Sequence, residues 1–173
     1  IKADLVLASD PDADRVGMGI RNDKGEIVLL NGNQTNAILT YYVLRRWSET
    51  GKLKRSHKFP YTIKTIVTTN LISDIAEKFG VKCYNVLTGF KNIAEVVKHN
   101  EGKGIFVCGG EESFGFSLGE FVRDKDAPIT CSIICECAAW CADNKMTMWG
   151  LLQEIYREFG KYESWLCQYT FKG

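Results

Sequence analysis

Three aspartates stand at alternate positions in Asp10-Pro-Asp-Ala-Asp-Arg15, directly after the apolar run Leu5-Val-Leu-Ala8. Carboxylates at i, i+2 and i+4 cannot share one small volume of folded protein as free anions. At about 4 Å each like-charge pair costs on the order of 4 kcal/mol at an effective dielectric of about 20. A hard divalent cation removes that repulsion, and carboxylate oxygens are the ligands magnesium prefers. The segment therefore reads as a strand ending in a metal-binding loop, with Asp10, Asp12 and Asp14 as ligands and Arg15 free to meet an anion beside the metal. A calcium EF-hand loop is excluded, because its sixth and twelfth positions need Gly and Glu, and Arg15 and Arg21 stand there. A solvated acidic turn would leave the apolar approach strand and the strict alternation unexplained.

At 173 residues the chain has room for one domain, or for one domain and a fragment of another. Its 45% hydrophobic and 25% charged composition, with net charge +1, carries no nucleic-acid or membrane footprint, so neither is expected as a partner. No apolar run approaches the ~18 residues of a membrane span, and no charged leader precedes an apolar core. The first residue is Ile1, two positions before a strand that reads as fully buried, and a buried strand needs neighbours on both edges. The chain thus reads as a piece cut from a longer protein, the alternative being an edge strand with a trimmed terminus.

The seven cysteines are odd in number and form no Cys-x-x-Cys, which favours a reducing, cytoplasmic setting. Cys131, Cys135, Cys137 and Cys141 invite a zinc reading. At ~100° per helical residue they spread over roughly 160° of arc instead of converging on a tetrahedron. Small apolar side chains on a buried helix suit them better.

Residues 3–9, 16–20 and 26–30 read as strands, the last two joined by the turn Asn22-Asp-Lys-Gly25 as a hairpin. Asn31-Gly-Asn33 breaks the pattern and marks the expected domain boundary, with residues 1–31 before it and 32–173 after it. A helix is predicted over 34–48 and a surface loop over 49–60. Strands then alternate with helices: strand 61–68, helix 71–79, strand 81–86, helix 91–99, strand 104–108, helices 128–142 and 147–159, and a last strand within 162–171. That rhythm specifies an α/β layered fold, with a mixed, mostly parallel sheet between helices and a β-rich remnant of a preceding domain at the start. Ligands of such sheets sit outside the carboxyl ends of the strands.

Three further loops fall there. Thr88-Gly-Phe-Lys91 joins a strand to a helix, where Gly89 admits close backbone approach and Lys91 can meet a phosphate. Gly109-Gly-Glu-Glu-Ser-Phe-Gly115 sets two carboxylates and a hydroxyl among aromatic walls, a donor and acceptor set suited to vicinal sugar hydroxyls. Arg123-Asp-Lys-Asp-Ala127 precedes the long helix; its charges suit a solvated face, a helix cap, or a lysine whose proton affinity is lowered until it moves protons.

In order and spacing these loops resemble those of the α-D-phosphohexomutase superfamily, the phosphoglucomutases and phosphomannomutases. The family's Asp-x-Asp-x-Asp-Arg is matched at 10–15, Thr-Gly-aromatic-Lys at 88–91, Gly-Glu-Glu-Ser-Phe-Gly at 110–115, and Lys-Asp-Gly at 125–127, where Ala127 replaces the Gly. The resemblance implies a four-domain enzyme of which this chain carries the end of domain 2 and domain 3, the sugar-recognition domain. It implies Mg²⁺ on Asp10, Asp12 and Asp14, with Arg15 beside the transferring phosphate. It further implies substrate reading by Thr88, Gly89, Phe90, Lys91, Glu111 and Ser113, and Lys125 as general base or acid. Glu112 is left out, since in such a loop it points away.

The implied reaction interconverts hexose 1-phosphate and hexose 6-phosphate, glucose above other sugars, through a hexose 1,6-bisphosphate and a phosphoserine on another domain. Neither the family's Ser-His loop nor its Arg-, Ser-, Gly- and Thr-rich phosphate loop occurs in these residues, so the chain alone is expected to be inactive. The implied partners are a sugar phosphate and the remaining domains. Alternatives are a phosphopentomutase or bisphosphate-forming variant, a noncatalytic sugar-phosphate-binding module, and a metal-dependent phosphohydrolase, which would need a second metal cluster or nucleophilic Asp.

Overall fold

A computed structural model of the chain describes residues 2–55, 57–165, 167 and 169–171. Two sheets organise it. The first is antiparallel, with β1 (Leu5–Ser9), β2 (Val16–Arg21) and β3 (Ile27–Leu30) in that order. The alternation Val16, Met18, Ile20 turns one face of β2 inward, where it joins the large core with Leu30. Among the described residues β1 pairs only with β2 and is half-exposed, which corrects the expectation of a fully buried strand. An antiparallel sheet with one face on helices needs no second cover.

After β3 the chain enters α1 (Gly32–Glu49), capped by Asn31, whose side chain accepts from Gln34 N while Gln34 accepts from the Asn31 N–H in return. The predicted loop 49–60 contains a short helix, α2 (Lys52–Arg55), and the start of β4 (Phe59–Thr65). There follow α3 (Leu71–Lys78), β5 (Lys82–Val86), α4 (Phe90–His99), β6 (Gly104–Glu111), β7 (Gly115–Leu118), α5 (Ala127–Asp143) and α6 (Met148–Phe159). The second sheet has the order β5-β4-β6-β7, the first three parallel and β7 antiparallel to β6. Helices α1, α3, α5 and α6 share the large core, while α4 covers the other face through Phe90, Ile93 and Val97 against Tyr61, Ile63 and Phe106. Each such apolar side chain contributes roughly 1.5–3 kcal/mol by leaving water. The mixed, mostly parallel layered sheet is therefore the predicted one, with the small antiparallel sheet beside it.

Two predictions fail in the second half of the chain. β6 runs three residues past Cys108, and β7 pairs back along it, so the stretch read as a loop is a hairpin with its tip at 112–114. Gly109 and Gly110 are strand residues in close approach, not part of a loop. A Cβ on Gly109 would lie 2.7 Å from Ile63 O, and one on Gly110 1.9 Å from Asn36 Oδ1. The strand expected within 162–171 is absent among the described residues there, while 166 and 168 lie outside them. On α5, Cys137 and Cys141 are buried, Cys131 is half-buried and Cys135 exposed.

Candidate functional site

The aspartate loop is shaped by its first member. Asp10 Oδ1 accepts from Asp14 N at 3.1 Å and Arg15 N at 3.2 Å, folding the hexapeptide back on itself. Desolvation pushes the Asp10 carboxyl up, but these N–H groups outweigh it and hold the group below the ordinary carboxylate value. Asp12 is exposed. Asp14 Oδ2 lies 3.0 Å from Lys125 Nζ, whereas Asp14 Oδ1, 3.9 Å from Arg15 Nε, is buried with no hydrogen-bond partner.

A buried carboxylate oxygen without a donor suits a cation. A donor set of hard oxygens suits magnesium, calcium or manganese alike. Yet among the described residues no three acidic, histidine or cysteine side chains converge into a metal cluster. Asp10 and Asp14 each spend an oxygen elsewhere, on the loop backbone and on Lys125 respectively. The donor chemistry fits, and the closure does not come from these three side chains alone.

Backbone bonds stitch this loop to two others. Arg15 bridges to Gly115, Val16 N donates to Phe114 O at 3.2 Å, and Ala127 N donates to Ala13 O at 3.0 Å. Both carbonyls belong to residues in the left-handed region, Ala13 at φ 56° and Phe114 at φ 69°. That conformation costs an L-residue about 1–2 kcal/mol. It persists here where it aims a carbonyl at a neighbouring loop.

Lys125 lies across the junction. A Cβ on Gly115 would come within 2.4 Å of its Cδ, and its Nζ stands 3.0 Å from Asp14 Oδ2, 3.0 Å from Asp124 Oδ1 and 5.1 Å from the Phe90 ring centroid. Burial pushes this lysine down, but hydrogen bonds to Asp14 and Asp124 outweigh it and raise it above the ordinary value. Of the three readings left open for this loop, the pairing bears on the lysine's charge: two carboxylates favour the charged form more than burial opposes it.

At the carboxyl ends of β5 and β6 two of the remaining predicted residues meet. Glu111, 6% exposed, accepts from Gly89 N at 2.8 Å, which ties the hairpin to the 88–91 loop. Thr88 and Lys91 are exposed, and Ser113 is half-buried near the hairpin tip. Phe90, one of the expected substrate readers, packs in the core with Ile93 and Val97, with its ring toward Lys125. Glu112 does turn away: its Oε2 is 3.1 Å from Thr68 Oγ1 and 3.3 Å from Thr65 Oγ1.

The sequence reading missed the first turn of α1, which grips these loops from below. Asn36 Nδ2 donates to Glu111 O at 2.8 Å, and Asn33 Oδ1 accepts from Thr69 N at 3.0 Å. A signal was present, since Asn36 is polar beside the apolar run Ala37-Ile-Leu39 and is 1% exposed. Lys64, also 1% exposed, was missed too. Burial pushes it below the ordinary lysine value. The unfolded chain then holds its proton at pH values where the folded chain releases it, so stability contributed by this group rises with pH through that window, up to the unfolded value of 10.5. Urea unfolding at several pH values is expected to show that rise, and Lys64→Met to flatten it.

Cavities of about 460 and 280 Å³ lie elsewhere, the first between α6, the start of α1 and residues 161–165, the second between β1, β2 and the facing ends of α5 and α6.

Residues 31–159 match the family profile described as phosphoglucomutase/phosphomannomutase, alpha/beta/alpha domain III. A phosphoglucomutase of Staphylococcus epidermidis is 35% identical over 175 residues, covering 100% of this chain and 30% of the relative. One from Staphylococcus aureus is 36% identical over 171 residues, covering 99% and 30%. The chain thus spans about 30% of the length of these curated relatives. Among solved structures, a candidate phosphomannomutase of Thermus thermophilus matches with TM-score 0.70 and 26% identity, over 90% of this chain and 31% of that one. The Paramecium phosphoglucomutase parafusin shares the fold, with TM-score 0.69 and 20% identity over 91% and 25%.

Proposed function

This chain belongs to the phosphoglucomutase/phosphomannomutase family, and on that premise we propose that it is the metal-loop and sugar-recognition part of a phosphohexomutase. The longer protein interconverts hexose 1-phosphate and hexose 6-phosphate, with glucose as the preferred sugar, through a hexose 1,6-bisphosphate and a phosphoserine outside these residues. One observation supports this above others: Lys125 touches Asp14, Gly115 and the Phe90 ring, so the acidic loop, the Glu111–Ser113 hairpin and the 88–91 loop face one spot.

Asp10, Asp12 and Asp14 would hold Mg²⁺. When bound, the ion supplies charge neutralisation at a transferring phosphoryl group, whose chemistry depends on positioning and on offsetting negative charge. Arg15, half-exposed beside Asp14, offers a planar guanidinium to phosphate oxygens. Glu111 and Ser113 bind adjacent ring hydroxyls, and Lys91 reaches the phosphate not being transferred. Lys125, held charged by Asp14 and Asp124, serves as proton carrier for the attacking hydroxyl and as local cation. Among the described residues no helix is long and apolar enough to cross a membrane, and the free thiols suit a reducing cytoplasm.

The deciding experiment is a coupled mutase assay on the full-length chain with glucose 1-phosphate, mannose 1-phosphate and ribose 1-phosphate. Turnover of glucose 1-phosphate above the others is expected; binding without turnover of any of them overturns the reading. In the same assay Lys125→Met is expected to lower kcat by about 10²-fold with a smaller change in KM.

A further inference from the structure

We propose that Glu112 is a positioning residue that, with Lys64, locks the Thr65–Thr68 turn and thereby fixes Glu111 on the Gly89 loop. The inference rests on the mutase reading only in assigning Glu111 to the sugar.

The last paired residues of β4 and β6 are Lys64 and Gly110. Beyond them, successive side chains of an extended segment point to opposite sides. Glu111 reaches the loop after β5, with Gly89 N donating to its Oε1 at 2.8 Å. Glu112 reaches the loop after β4. Its Oε2 lies 3.1 Å from Thr68 Oγ1 and 3.3 Å from Thr65 Oγ1 and accepts from this pair, whose hydroxyls also bond each other at 2.7 Å, and its own N–H donates to Thr68 Oγ1 at 3.3 Å.

From the other side, Lys64 Nζ donates to Thr68 O at 3.1 Å and Thr65 O at 3.3 Å. Anion and cation thus hold the same two residues, one by their hydroxyls and the other by their carbonyls. The turn also closes on itself through Thr68 N to Thr65 O at 3.1 Å, and Ile66 N donates to Val86 O at 2.8 Å, three residues before Gly89. The bonds form a ring: Glu112 to the turn, the turn to Val86, Val86 along the chain to Gly89, Gly89 to Glu111, and one peptide unit back to Glu112. Bonds closed in a ring reinforce one another, and cutting one loosens the rest.

The two hydroxyls share two protons, one of which serves the Thr65–Thr68 bond, so the other needs an acceptor at position 112, and an amide oxygen serves as well as a carboxylate oxygen. The full-length Glu112→Ala and Glu112→Gln variants therefore separate positioning from chemistry. In Glu112→Ala, hydrogen exchange of peptides covering 65–69 and 87–92 is expected to quicken roughly tenfold, with α6 unchanged. Its KM for glucose 1-phosphate is expected to rise roughly tenfold, with kcat within about threefold of wild type. Glu112→Gln is expected to stay within about twofold of wild type in every readout. Unchanged exchange at 87–92 in the Ala variant overturns the ring. A Gln variant as damaged as the Ala variant overturns positioning in favour of a role for the charge. The exchange readout needs no turnover, so a full-length chain inactive on all sugars defeats the mutase reading and leaves the ring to be judged by exchange. Should Glu112→Ala not fold, Thr68→Val removes the shared donor at similar volume, and the same loss in both segments is expected.

Discussion

Asp12→Ala in the full-length chain is expected to lower mutase kcat by about 10³-fold, the scale of losing one charge-stabilising element at a phosphoryl-transfer site. The position is informative because Asp12 is exposed. Exposed substitutions away from special features alter stability by at most about 0.5 kcal/mol, so the urea midpoint should stay where it is. Asp10 and Asp14 are poorer probes, since Asp10 folds the loop and Asp14 pairs with Lys125. If Asp12 contributes a ligand, raising Mg²⁺ should restore part of the lost rate, because fewer carboxylates mean weaker cation binding. Near-normal turnover in a folded Asp12→Ala protein would refute the metal role.

Gly32→Ala is expected to cost about 3 kcal/mol, at the upper end of the range for over-packing a close contact. A Cβ there would lie 1.9 Å from Glu112 O, 2.6 Å from Glu112 C and 2.9 Å from Phe114 N. The obstacle is backbone, so no side chain can rotate out of its way. Ala is the better helix former by about 1 kcal/mol at most, which leaves the clash in control. Gly17→Ala is the control, because its nearest contact would be Ala8 O at 3.8 Å. Urea midpoints at equal m-values check both variants. A Gly32→Ala protein as stable as wild type would show that α1 does not press against the hairpin tip.

Some of this was readable from local pattern. The spacing of Leu71, Ile72, Ile75 and Ala76 marks one face of α3, and those residues are buried. The alternation Val16, Met18, Ile20 marks the inner face of β2. What misled was chemistry with two local meanings. Gly109-Gly110 reads as a turn because glycine permits one, yet here it permits two backbones and Asn36 to approach. β7 went unpredicted because four residues, Gly115–Leu118, carry too little pattern to register before their partner strand is known. The buried expectation for β1 failed for a related reason: an apolar run shows that a strand has something to bury against, not how many neighbours it pairs with.

Which side chains are candidates for chemistry could be read from the chain alone, because ligand type and motif spacing are properties of residues in a line. Three aspartates fall on one loop, two glutamates and a serine on another, and a lysine beside a third, while the strand–helix alternation makes the sheet mostly parallel. The neighbours those groups acquire emerge only in the folded molecule. Lys125 is raised, not lowered, because two carboxylates from separate loop positions reach it. Glu111 and Glu112, adjacent in sequence, clasp different loops because an extended strand end points them apart. Charge state and orientation depend on distances across the fold, and no local pattern of residues encodes those distances.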